Sequence, residues 1–112
     1  MTSVSRNLPF VRTYQGTVFE ALADPTRRSI FELVAAGSRS VADLAALVPV
    51  SRPAVSQHLK VLREARLVTS TPVGTKRIYA LDPQGVTDVQ GYFQQFWNTQ
   101  LASFAQSVKE KP

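Results

Sequence analysis

The chain has 112 residues, 44% of them hydrophobic, a formal net charge of +5 and no cysteine. That length allows one domain with a modest core, small enough that a second copy would help to bury apolar surface. Disulfides, thiolate metal sites and thiol switches are excluded; no stretch approaches the roughly 20 apolar residues of a membrane span, so a soluble cytoplasmic protein is expected.

Residues 1–12 mix serine, asparagine, proline and two arginines and read as an N-terminal arm, leaving residues 13–112 to form the domain. From Thr13 to Ala23, the spacing of Tyr14, Val18 and Leu22 predicts a first amphipathic helix. Asp24-Pro25 then supplies an N-cap and a proline at the first helical position. Ile30, Leu33 and Val34 form the inner face of a second helix that ends at Gly37. Ser40 repeats the start signal for a short third helix carrying Val41, Leu44, Ala45 and Val48, which Pro49 breaks.

A fourth helix begins abruptly at Ser51, with Pro53 in its first turn. At about 100° per residue, Val55, Leu59 and Leu62 make one narrow apolar stripe, while Pro53, Ser56, Gln57 and Lys60 point the other way and Arg52 and Arg63 lie on the flank. That outward face combines short hydroxyl and amide groups, suited to base edges, with long cations suited to phosphates. Two helices joined by so few residues, the second basic on its outer face, form a helix-turn-helix. Residues 51–77 hold Arg52, Lys60, Arg63, Arg66, Lys76 and Arg77 against Glu64 alone, which accounts for the whole net charge. Such a segment faces a polyanion.

Strands are expected at Leu67 to Thr71 and Arg77 to Leu81, with the turn at Pro72 to Lys76. A hairpin after a recognition helix is a wing, and Lys76 and Arg77 at its tip would meet the phosphate backbone or an adjacent minor groove. Asp82-Pro83 opens a long last helix. Val86, Val89, Phe93, Phe96, Trp97, Leu101, Phe104 and Val108 occupy one side of it, and Tyr92 raises its aromatic content further. This side follows an already complete winged unit, so pairing of terminal helices across a two-fold axis is expected. The interface would comprise Tyr14, Val18, Leu22, Val89, Phe93, Phe96, Trp97, Leu101 and Phe104, and would set two recognition helices about 34–36 Å apart.

The runs Phe19 to Arg28, Arg52 to Lys60 and Gly74 to Tyr79 resemble the ArsR/SmtB winged-helix repressors, and the order of elements matches as well. The resemblance implies a mainly α fold with a small β-hairpin, a winged helix-turn-helix in the order α-α-α-α-β-β-α, and a homodimer that represses transcription from an imperfect palindrome in double-stranded promoter DNA. It also places His58 within the DNA-reading helix, beside Ser51, Arg52, Pro53, Ser56, Gln57, Lys60 and Arg63.

Many relatives release DNA on binding a metal ion, and here the sequence departs from them. The helix before the recognition helix reads Val41-Ala42-Asp43-Leu44-Ala45-Ala46-Leu47 and has no cysteine box, while the last helix offers Asp88 and Glu110 without a histidine. Zinc or a softer ion needs three or four converging nitrogen- or sulfur-rich ligands, so neither a metal site nor any other cofactor is expected. His58 has no serine, second histidine or usefully spaced carboxylate as a catalytic partner. It borders the apolar stripe, where packing against a neighbouring helix and contact with a phosphate or purine are both open. Arg27 and Arg28 pose the same choice between helix surface and DNA backbone. A winged helix used for protein contacts would carry a neutral recognition face, and a catalyst would need a polar constellation this chain lacks. Control by a small apolar effector between the terminal helices, by a partner protein or by concentration alone remains open.

Overall fold

Helix-start signals divide the chain where its folded elements divide. The computed structural model of the protein describes residues 18–110, so the arm at residues 1–12, and Tyr14, lie outside the described residues. Residues 18–23 form helix α1, Pro25–Ala36 α2, Arg39–Ser40 strand β1, Val41–Ala45 α3, Arg52–Glu64 α4, Val68–Val73 β2, Lys76–Leu81 β3 and Pro83–Glu110 α5. Asp24 caps α2 by accepting from the Arg27 backbone N–H at 2.8 Å, and Ser51 caps α4 by accepting from that of Ala54 at 3.3 Å. Ser40 and Asp43 close a reciprocal capping box on α3. At α5, Asp82 accepts from the backbone N–H groups of Gln84 and Gly85, each at 3.1 Å. These oxygens satisfy N–H groups that a helix start otherwise leaves unpaired.

The apolar stripe of α4 forms the centre of the core. Val55, Leu59 and Leu62 are fully buried against Ile30 and Val34 of α2, Leu44 of α3, and Leu67, Val68 and Tyr79 of the sheet. Burying side chains of that size contributes about 1.5–3 kcal/mol each. Val18 and Ala21 of α1 belong to the same cluster, and Val86 and Val89 from the start of α5 pack against it. The last helix therefore completes the core with its first turns, a role the sequence reading left to the winged unit alone. Beyond them, every described residue from Phe93 to Lys109 is exposed.

Among the described residues the sheet has three strands, not two. β1 pairs antiparallel with β3 (Arg39 opposite Tyr79, Ser40 opposite Ile78), giving the order β1-β3-β2. Two residues are too few to show alternation, which is why β1 carries no sequence signal. The hairpin is also longer than expected: β2 and β3 pair from Val68 opposite Leu81 to Val73 opposite Lys76, leaving only Gly74-Thr75 as the turn. Gly74 has φ 63°, as the first central position of a tight hairpin turn requires. Pro72, expected in that turn, instead lies in β2 on the sheet edge, where a missing N–H is tolerated.

Candidate nucleic-acid interface

On α4 the stripe that fixes the helix to the core also fixes what it presents. With Val55, Leu59 and Leu62 at zero exposure, Ser51, Arg52, Pro53, Ser56, Gln57, Lys60 and Arg63 are all exposed. So are Lys76 and Arg77 on the wing. Arg52 and Ser56 share a cleft of about 370 Å³ with Thr75, Lys76 and Arg77, floored by Ser40 and Tyr79. The hairpin thus returns the wing's cations to the first turns of α4. Arg77 is steadied there, its Nε donating to the Ser70 hydroxyl at 2.8 Å. Lys60 and Arg63 lie further along the helix, beside a separate recess that they share with Glu64. Thr75 is a neighbour that the sequence reading overlooked, although a hydroxyl in the two-residue turn before two cations was its signal.

The Asp43 carboxylate feels the cations of this cleft through Lys76. The Ser40 backbone N–H, donating to Asp43 Oδ2 at 3.0 Å, and then the Ser40 side chain hold the Asp43 carboxyl below its usual value. They outweigh slight desolvation, and Lys76 and Arg39 act in the same direction. Asp43 therefore serves both as a cap and as a local counter-charge to the wing.

His58 is placed differently from its neighbours on α4. Its Nδ1 lies 3.3 Å from Arg27 Nη1 and its Nε2 lies 4.0 Å from Asp24 Oδ2, with the side chain 21% exposed. Of the two roles open to it, packing against a neighbouring helix is the one seen here: the ring is engaged with the start of α2, because it borders the buried stripe. The two arginines are likewise engaged within the chain. Arg27 Nε donates to the Ala21 carbonyl at 2.7 Å and Nη2 to that of Glu20 at 3.0 Å, while Arg28 Nη1 donates to the Leu22 carbonyl. Both arginines cap the carbonyl end of α1, where cations are also favoured by the helix dipole. The link between Asp24, Arg27 and His58 had no sequence signal, since 31 positions separate Arg27 from His58.

The residues expected to pair two copies divide by depth. Val18 is 1% exposed and belongs to the protomer's own core, so it can back an interface without facing one. Leu22 and Val89 are half-buried. Phe93, Phe96, Trp97, Leu101 and Phe104 are exposed, with Phe19 of α1 packed edge-to-face on Phe93 at 5.7 Å. Between α1, α2 and α5 runs an apolar groove of about 670 Å³, lined by Leu22, Phe31, Val86, Val89, Phe93 and Trp97 among others. Among the described residues, no three histidine, cysteine or carboxylate side chains come together as metal ligands would, and no helix is long and apolar enough to cross a membrane.

Comparison with known proteins agrees with this architecture. The family described as "Bacterial regulatory protein, arsR family" matches residues 24–70, which run from the α2 cap into β2. The HTH-type transcriptional regulator Rv2034 of Mycobacterium tuberculosis is 51% identical over 90 residues, covering 80% of this chain and 84% of that protein. The transcriptional repressor SdpR of Bacillus subtilis is 32% identical over 81 residues, covering 72% and 90%. Among solved structures, an ArsR-like transcriptional regulator from Rhodococcus sp. RHA1 superposes with a TM-score of 0.75 at 28% identity, covering 90% of this chain and 98% of that one.

Proposed function

The chain belongs to the arsR family of bacterial regulatory proteins and is a DNA-binding transcriptional regulator, not an enzyme; on that premise we propose that it is a homodimeric repressor reading a palindromic operator through the outward face of α4. The observation that carries this reading is the exposed set Arg52, Ser56, Gln57, Lys60 and Arg63 on a helix whose opposite stripe is fully buried, with Lys76 and Arg77 returned beside it. Ser56 and Gln57 can donate to and accept from base edges, and the cations reach phosphates. His58 is left out of this set because Arg27 engages it.

A second copy is the proposed occupant of the apolar face of α5. At 1.5 Å per residue its 28 residues span about 42 Å, and the exposed part carries Phe96, Trp97, Leu101, Phe104 and Val108. Monomers rarely leave a contiguous apolar patch of that kind in water. Tyr14 is assigned to the same interface on its helical spacing from Val18. The groove between α1 and α5 also favours a second reading of control, in which a small apolar effector enters it and alters the pairing.

Footprinting on DNA upstream of the gene for this chain, supported by selection from random duplexes, tests the proposal. Two protected half-sites are expected about 10–10.5 base pairs apart, centre to centre, or a multiple of that spacing. Zinc, cadmium and arsenite should leave protection unchanged, because the chain has one histidine and no cysteine. A panel of apolar compounds that weakens protection would establish the effector reading. Binding that prefers no sequence would contradict the proposal.

A further inference from the structure

We infer that Arg27 is a positioning residue for DNA reading: through His58 it ties the recognition helix α4 to the carbonyl end of α1, whose other face lines the apolar groove. This inference rests on the DNA-binding role of α4. The Arg27 guanidinium reaches three ways at once, to the carbonyls of Ala21 and Glu20 and to His58 Nδ1. Arginine has donors only, so in this contact Nδ1 is the acceptor, and Nε2 lies on the side of Asp24. Asp24 in turn caps α2 through the Arg27 backbone N–H. One arginine therefore joins the end of α1, the start of α2 and the middle of α4.

The position of that junction on α4 gives it consequence. His58 follows Ser56 and Gln57 directly, and those two side chains are exposed where base edges would lie. A small rotation of α4 would turn them off their partners, since hydrogen bonds weaken steeply with angle. The buried stripe sets the depth of the helix, while the Arg27–His58 contact resists rotation about its axis. On the other side, Val18 and Leu22 of α1 line the groove beside α5. Whatever shifts α1 in that groove acts on the reading helix through Arg27.

Affinity titrations of the full-length chain, on a selected site and on a scrambled duplex at several salt concentrations, test the inference. The variants are Arg27→Ala, His58→Ala, their combination, Arg27→Lys and His58→Asn. Each alanine variant should lose about tenfold on the selected site and little on scrambled DNA, and the double variant should lose no more than the worse single one, because both break the same contact. Since Arg27→Ala also uncaps α1, Arg27→Lys serves as its folded comparison. Lysine keeps the charge but loses the fork, so the same loss is expected. His58→Asn keeps an acceptor near Nδ1 and should recover most of the affinity, with the salt dependence unchanged throughout. Additive losses, a shallower salt slope for Arg27→Ala, or full affinity in Arg27→Lys would overturn the inference and make Arg27 a direct phosphate contact. A lower melting temperature with unaltered affinity would overturn it too, leaving a purely structural cap. If the wild-type chain distinguished no sequence from scrambled DNA, the DNA-reading role itself would fall.

Discussion

A Cβ added at Gly85 would collide with the Arg66 carbonyl oxygen, so the first turn of α5 and the end of α4 meet backbone to backbone. Arg66 is the residue that turns the chain there. It lies in the left-handed region at φ 62°, its N–H donating to Arg63 O at 2.9 Å while that of Leu67 donates to Leu62 O at 3.0 Å, the paired bonds that end a helix in this manner. Gly85→Ala should therefore destabilise the protein by about 1–3 kcal/mol in urea unfolding, as overpacking does. A variant indistinguishable from wild type would show that α5 can shift freely. Asp43 provides a second test through pH. Its folded pKa lies below the unfolded value, so its stabilisation is present above the unfolded value and is lost as pH falls through the folded one. The melting difference between wild type and Asp43→Asn should shrink on acidification. A difference constant across the carboxylate range would mean that the charged cap contributes nothing.

The elements of this fold differ in how openly the sequence announces them. Helices α2, α4 and α5 could be placed because Asp24-Pro25, Ser51 with Pro53, and Asp82-Pro83 are start signals with a local mechanism, and the stripe of α4 told which face is buried. β1 and the extra length of the wing depend on pairing with β3, a contact between distant residues that leaves no local pattern. His58 was ambiguous for the same reason, since its partner Arg27 lies on another helix. At the wing, Lys76→Ala should weaken binding to every DNA and reduce the slope of log affinity against log salt by about one per lost phosphate contact. Titrations on a selected and a scrambled duplex read this directly, and an unchanged slope would remove Lys76 from the phosphate contacts. On α5, truncating an aromatic that is buried costs about 3–5 kcal/mol. Phe93→Ala combined with Trp97→Ala should thus yield monomers at micromolar concentration in sedimentation; a dimer that persists would move the interface elsewhere.

At the scale of the molecule, charge and shape separate two tasks. The described chain measures 65 × 32 × 23 Å, long because α5 runs on past the core that its first turns help to close. Its apolar overhang is suited to a second copy, and the segment 51–77, which spans α4 and the wing, has a charge equal to that of the full chain. On the proposed reading, attraction to DNA and choice among DNA sequences fall to different residues. The central claim, that the outward face of α4 reads bases, is tested most directly by measuring the affinity of wild type and Gln57→Ala for a selected site and for a scrambled duplex under the same salt. The account predicts a loss of about 1–3 kcal/mol on the selected site and almost none on scrambled DNA. Equal losses on the two would contradict it.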